Sequence, residues 1–410
     1  MAIPKGLQIN NVGLVLLLGI AIFSSKVAQC APFGSRRGLL ETVFDVTKYG
    51  ARPSPADSTR GFMMAWRSAC QSSGPARVVV PPGTFTTGET ILQGPCTSPK
   101  PIIIEIKGTL LSNTDMSLYS RIAWIQIEHV DGVVVTGGGT LNGQGNASWQ
   151  YADRSGKSSP LPSSLVFQAT KGSSINNINF VDSKGVHLKI TDSTDFTVSN
   201  LKITAPETSP NTDGLHISSS SNINITDSDI GTGDDCIGVG HGISNVYISN
   251  INCGPGHGIS IGSLGKRTNE KDVKGVVVRN CTFHGTTHGA RIKTYMDSIP
   301  LQLSDVVYED IVMKDVKNPI LIDQHYNSKN KKEPSKVKLV DIHFKNIRGT
   351  SSSKYPPVAL NCSEAVPCEG VELADIDISP TGNIVALAAS TCQNAKMTSS
   401  GKNNPPPPIC

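Results

Sequence analysis

Long apolar runs, charge and helical periodicity are all scarce in this chain of 410 residues. Beyond the first thirty positions no stretch approaches the roughly 20 consecutive apolar residues that a membrane-spanning helix requires, so no membrane partner is expected. Charged residues make up 17% and the formal net charge is +4. Such a chain has no global basic field. Nucleic-acid binding is therefore without support, and any attraction for an acidic ligand must be local. Few segments carry the spacing of an amphipathic helix, which argues against an α-helical fold.

What is present begins with Lys5, a polar stretch, an apolar run from Val12 to Phe23, and the small residues Ala28 and Cys30 before Ala31. That order predicts a secretory signal peptide over 1–30, and the run is too short for a transmembrane anchor. The mature chain would be 31–410, a single domain exported to the extracellular space or cell wall. Losing Lys5 and Lys26 would leave it at +2. Cys30 leaves with the signal, so nine of the ten cysteines remain, and an oxidising compartment favours their pairing. Short separations suggest Cys362 with Cys368, Cys236 with Cys253, Cys70 with Cys96 and Cys392 with Cys410. Cys281 is left over and reads as a small buried hydrophobe. Sequons at Asn146, Asn224, Asn280 and Asn361 fit secretion.

The strongest organisational signal is repetition. An alternating apolar segment followed by Asn or Asp and a further apolar residue recurs. It appears in Phe196–Ile203, Ile223–Ile230, Val246–Cys253, Val276–Phe283 and Val306–Met313. The Asn/Asp positions Asn200, Asp227, Asn250, Asn280 and Asp310 step by 27, 23, 30 and 30 residues. Period-two alternation with β-branched residues means strands. Copies at this period predict an all-β, right-handed parallel β-helix, a solenoid of stacked coils. A propeller needs longer repeats, and a sandwich does not repeat in this way. The recurrent Asn/Asp should sit at the bends, where their side chains bond local backbone and tolerate left-handed φ. Ahead of the repeats, Asp57 to Cys70 predicts a short capping helix started by Asp57 or Ser58, with its Phe, Met and Trp face covering the open end of the stack. Gly401 to Cys410, with Pro405–Pro408, predicts an extended tail tied back by Cys410.

Four segments carry the chemistry: Asn211-Thr212-Asp213-Gly214, Gly233-Asp234-Asp235-Cys236, Gly256-His257-Gly258 and Arg291-Ile292-Lys293. Asp213 and Asp234 are 21 residues apart, and His257 follows Asp234 by 23, each close to one coil. Neighbouring strands lie about 4.8 Å apart, so residues one coil apart can meet on the surface. The turn at Gly231–Gly233 would let both Asp234 and Asp235 enter one groove. Arg291 and Lys293, two apart on a strand, share a face. Crowded carboxylates raise at least one pKa, and a protonated acid beside an ionised base is what cleavage of a glycosidic bond requires. His257 can set a carboxylate's protonation, and Arg291 and Lys293 can hold the carboxylates of an anionic sugar. His216, His241, His284 and His288 have no evident partners and read as structural or surface residues. Lys329–Lys332 reads as a solvated loop.

These segments, in this order and spacing, resemble the polygalacturonase family of glycoside hydrolases. Further resemblance lies in Gly137–Gly145, Ser209–Gly214, Cys253–Gly258 and Asn318–Gln324, and the details look like the plant subgroup that includes pollen enzymes. The resemblance implies hydrolysis of α-1,4-galacturonosyl bonds in pectin or polygalacturonate with inversion, in exo mode, by a secreted monomer without metal or other cofactor. Asp234 would be the general acid, Asp213 and Asp235 would activate water, and His257 would tune the acid's proton. Arg291 and Lys293 would bind substrate carboxylate, Asn211 would support the site by hydrogen bonding, and Tyr326 would position the sugar. A step of one strand is shorter than the roughly 6.5–9.5 Å that usually separates the carboxylates of an inverting enzyme. Side-chain direction and the Gly233 turn must supply the difference.

The chain departs from the family in two places. Relatives often carry a cysteine just after the tyrosine, whereas here His325-Tyr326-Asn327-Ser328 runs on into Lys329-Asn330-Lys331-Lys332, so that loop should be less constrained. After Cys236 relatives usually carry Ser and then Asp, where this chain reads Ile-Gly-Val-Gly-His241. The alternatives are an endo-acting polygalacturonase, a calcium-dependent pectate lyase on a similar solenoid, and a wall-binding or allergenic protein that has lost catalysis. The complete set of charged residues argues against the last.

Overall fold

A computed structural model describes residues 41–121, 123–152, 160–329, 331–381 and 386–410. The expected signal peptide over 1–30, with Cys30, lies outside the described residues. Within them the chain winds into a right-handed parallel β-helix. Every named strand pairing is parallel. One sheet of eleven strands, here called the front sheet, follows chain order from Thr90–Gln93 to Thr391–Gln393. The longer strands form a second, seventeen-stranded sheet around the back.

The alternation seen in the sequence decides which way each residue faces. On the front sheet Leu188 and Ile190 pair with Leu215 and Ile217, then Ile237 and Val239, then Ile259 and Ile261, then Ala290 and Ile292. All of these are buried. They stack into aliphatic columns inside the solenoid, and each fully buried Ile or Leu contributes about 1.5–3 kcal/mol relative to an exposed one. The intervening residues face outward, which is how the same strands present a polar surface.

The bends take the left-handed φ that the repeat implied, but among the described residues these side chains bond other side chains and not the local backbone. Asn200, Asp227, Asn250, Asn280 and Asp310 all have φ between 52° and 56°. Their side chains ladder between coils: Asn250 Nδ2 donates to Asp227 Oδ1 at 2.8 Å and Asn280 Nδ2 to Asn250 Oδ1 at 2.7 Å. The four suggested disulfides are present, and Cys281 is free and buried. Burial pushes the Cys281 thiol up to about 12, so it is not a reactive thiolate.

The cap helix is Thr59–Cys70. Asp57 accepts from the Thr59 amide at 3.0 Å, while Ser58, the N-cap by position, bonds Arg52 instead. Its buried face is Phe62, Ala65, Trp66 and Ala69; Met63 and Met64 are exposed, contrary to the expectation that methionines would join the cover. Their positions follow Phe62 directly, so they turn off the packed stripe. Gly61 has a packing reason: a Cβ there would lie 2.5 Å from the Ala51 amide nitrogen. The loop after Tyr326 is held without a disulfide. Asp297 accepts from the Glu333 amide at 2.8 Å and pairs with Lys331 at 3.2 Å.

Candidate active site

The front sheet's outer face carries the site. Two positions ahead of the paired Leu215, Ile237, Ile259 and Ala290 stand Asp213, Asp235, His257 and His288. One position after each of those paired residues stand His216, Gly238, Ser260 and Arg291. Two short rows of polar residues therefore cross the coils, because each coil repeats the same register.

Asp235 and Asp234 are neighbours in sequence but have different surroundings. Asp235 is buried, 2% exposed. Its Oδ1 accepts from Ser260 Oγ at 2.7 Å, and its Oδ2 from Lys293 Nζ at 2.7 Å. Arg291 Nη1 lies 3.9 Å from Oδ1. Burial alone would push the Asp235 carboxyl up, but Lys293 and Arg291 together hold it below the usual carboxylate range. Lys293 shows the reciprocal effect: burial disfavours its charge, yet Asp235 raises its pKa above the ordinary lysine value. The pair is ionised on both sides.

Asp234 faces a cleft of about 350 Å³ whose lining includes Glu207, Asn211 and His257. Its Oδ1 accepts from the Asp235 amide at 2.8 Å and lies 3.0 Å from His257 Nδ1. The His257 amide in turn donates to the Asp234 carbonyl at 2.8 Å. This double link fixes the imidazole against the carboxylate, and the short Nδ1–Oδ1 contact can hold one proton between them.

Among the described residues no lysine or arginine pairs with Asp213. Burial, then the charges of Asp234 and Asp235, drive its pKa well above the usual value. The cluster thus holds one carboxyl that resists ionisation beside one that is firmly ionised. A Cβ on Gly238 would lie 3.3 Å from Asp213 Oδ2, 3.8 Å from Asp235 Oδ2 and 3.0 Å from His216 Nδ1. The bare backbone at Gly238 therefore leaves room between the two carboxylates, on the segment that departs from the family.

The predicted residues converge, with one difference. Arg291 Cζ lies 5.4 Å and Lys293 Nζ 5.5 Å from the centroid of Tyr326, so the tyrosine sits over both cations. Tyr295 packs edge-on to Tyr326 at 5.4 Å. Asn211 lines the cleft with φ 52°, but among the described residues its side chain makes no hydrogen bond within the protein. Thr212 supports the turn instead: its Oγ1 meets Ser209 Oγ at 2.6 Å and accepts from the Gly233 amide at 3.1 Å. An asparagine in the left-handed region points its amide outward, whereas the threonine next to it turns inward.

Two of the histidines read as structural lie at the site. His216 Nδ1 is 3.9 Å from Asp213 Oδ2, and burial pushes its pKa down to about 4. His288 packs edge-on against His257 at 5.9 Å, and its pKa falls to about 3. Both rings are neutral. They wall the cluster with polar surface that adds no charge.

Ligand atoms of Asp234, Asp235 and His257 lie within 4.8 Å of one another, the spacing of a possible cation site. The chemistry is unfavourable for a divalent ion: both Asp235 oxygens are occupied, one by an ammonium.

A parallel β-helix bearing an acid–base carboxylate cluster and buried cations on one face is the layout of an enzyme that cleaves glycosidic bonds. The chain belongs to glycosyl hydrolases family 28, whose profile matches residues 70–401. It is 45% identical over 367 residues to a polygalacturonase of Nicotiana tabacum, covering 89% of this chain and 91% of that one. It is 42% identical over 409 residues to an exopolygalacturonase of Arabidopsis thaliana, covering 96% and 95%. In fold it is similar to the crystal structure of a hyperthermoactive exopolygalacturonase from Thermotoga maritima, with a TM-score of 0.76 at 18% identity, over 89% of this chain and 94% of that one.

Proposed function

We propose that this glycoside hydrolase is an exo-acting polygalacturonase. It hydrolyses α-1,4 bonds between galacturonic acid units of pectin or polygalacturonate and releases galacturonate from chain ends. The observation that carries the reading is the cluster itself: Asp213 and the Lys293-paired Asp235 on either side of an open gap, with Asp234 facing the adjoining cleft. Relatives named polygalacturonase and exopolygalacturonase over nearly the full chain support the substrate, and the latter support the exo mode.

Asp234 protonates the leaving oxygen; after product leaves, solvent restores that proton through the His257 contact and takes up the one that the base removed from water. Asp213 and Asp235 activate a water in the gap at Gly238: the ion-paired Asp235 helps orient it, and Asp213, once ionised, takes its proton. Attack from that side, opposite the departing sugar, inverts the anomeric centre. Buried Arg291 and Lys293, under the ring of Tyr326, take the carboxylate of a galacturonate unit, and Asn211 contacts the sugar from the cleft wall. The mechanism needs no metal. Four disulfides and the signal-like start of the sequence support export to the cell wall, as one domain over 31–410 acting as a monomer.

The test is Asp234→Asn assayed on polygalacturonate. Reducing-sugar release should fall about 10²–10⁴-fold, the usual worth of a general acid, with the circular dichroism unchanged. Wild-type-like release removes Asp234 from this role. Chromatography of early products separates the modes: monomer alone means exo, mixed oligomers mean endo.

A further inference from the structure

The outer row of the front sheet extends past the residues used so far. In register along it are Lys189, His216, Gly238, Ser260 and Arg291. Gly238 marks the cleavage centre, since a side chain there would touch both Asp213 and Asp235. Arg291 stands two strands to one side of it. Lys189 stands two strands to the other, also about 10 Å away at ~4.8 Å per strand. Cations thus flank the centre symmetrically, and the mechanism above employs only one side.

Lys189 is half-buried; burial, then the Arg267 guanidinium, disfavours its charge, and the more distant carboxylates of Asp192 and Asp213 only partly offset this. Among the described residues no carboxylate lies within ion-pair distance of it. Asp192, three residues on, accepts from Thr191 Oγ1 at 3.2 Å instead. Arg267 comes from the loop after Leu264. The two acids of that loop are spent on the backbone: Glu270 accepts from the Gly265 amide at 2.6 Å and the Arg267 amide at 3.0 Å, and Asp272 from the Gln302 amide at 2.8 Å. The same loop is pinned next to the front sheet by the Gly242 amide, which donates to the Lys271 carbonyl at 3.0 Å. A half-buried ammonium and an exposed guanidinium therefore lie close together with no carboxylate in ion-pair contact among the described residues, and Lys189 mirrors Arg291 in strand register about the centre. Two neighbouring cations without a contacting carboxylate repel one another, and an anion that joins them relieves the repulsion.

We infer that Lys189, with Arg267, forms a second carboxylate subsite, which takes the uronate group of a sugar on the opposite side of the scissile bond from Arg291 and Lys293. The subsite rests on the polygalacturonase reading. A polyuronate lying along the stacking direction would be held by charge on both sides of the bond to be cut, and a neutral glycan would gain nothing from Lys189.

The test is steady-state kinetics of full-length Lys189→Gln, Lys189→Arg and Arg267→Gln on polygalacturonate at fixed low ionic strength. For Lys189→Gln, KM should rise about tenfold, the loss of one charge-assisted contact, while kcat stays within about twofold and the melting temperature is unchanged. Lys189→Arg should restore KM, and Arg267→Gln should raise it less. The gap between wild type and Lys189→Gln should narrow as salt is added. An unchanged KM in Lys189→Gln, or a fall in kcat at unchanged KM, overturns the subsite while leaving the activity standing. A wild-type protein that releases no galacturonate overturns the functional reading, and the subsite with it.

Discussion

The ammonium of Lys293 lies 2.7 Å from Oδ2 of Asp235, and both side chains are almost sealed from solvent, at 8% and 4% exposure. Neither charge is tolerable there alone. Lys293→Ala should therefore destabilise the fold by about 3–5 kcal/mol, because it strands a buried carboxylate. Replacing both residues by apolar ones should recover much of that loss. Urea unfolding of the two single variants and the double variant measures the coupling.

The stability of Asp213 should run in the opposite direction. Its folded-state pKa is raised, by burial and by two neighbouring carboxylates. The folded state therefore favours its protonated form: its contribution is favourable at low pH and is lost as pH rises through the folded value. Asp213→Asn should melt at a higher temperature than wild type at pH 7, and the difference should vanish in acid. The same variant should lose most of its activity. Asp235 is the mirror case. Its depressed pKa stabilises the fold above the ordinary carboxylate value, and that contribution is lost as pH falls through the folded value.

The pH dependence of turnover should follow the same group. Asp213 must be ionised to take a proton from water, so the acid limb of kcat/KM should lie above the ordinary aspartate range. Gly238→Ser puts a hydroxyl beside Asp213 Oδ2, where it can donate to the ionised form. That variant should shift the acid limb to lower pH and also lower kcat, because its side chain enters the gap that holds the water, with its Cβ 3.0 Å from His216 Nδ1. An unshifted limb would mean that another group sets it.

Chelation should change nothing. The only cluster among the described residues with metal-ligand spacing is Asp234, Asp235 and His257, and the Lys293 ammonium already occupies it. Activity after exhaustive treatment with a chelator should equal that before, and no product absorbing in the ultraviolet should form. A lyase would fail both checks.

How far the sequence foretold these features depended on which contacts repeat. Asn200, Asp227, Asn250 and Asn280 could be placed at bends because each coil reuses one backbone turn. Asp213, Asp234, Asp235 and His257 could be brought together because they fall near one coil period, whereas Arg291 and Lys293 were joined to them by their shared strand face and the family resemblance. The signal weakened wherever the coils differ in length. His216, His288 and Lys189 join the rows only through strand register, which a count of residues blurs by one or two positions. His216 could have been found as the residue that alternates outward between the apolar Leu215 and Ile217, just after Asp213. The supporting hydrogen bonds expected of Asn211 fall to Thr212 for a finer reason, since the left-handed φ at Asn211 decides which of two adjacent side chains turns inward. Met63 and Met64 resembled cover because composition does not tell which side of a helix is packed.

The most direct measurement is the anomeric form of the first product. Proton NMR of galacturonate released in the opening seconds, before mutarotation, should show the β-anomer from the α-linked chain, as direct attack by a water held between Asp213 and Asp235 requires. Initial α-anomer would mean a covalent intermediate and would contradict the assignment of those two carboxylates.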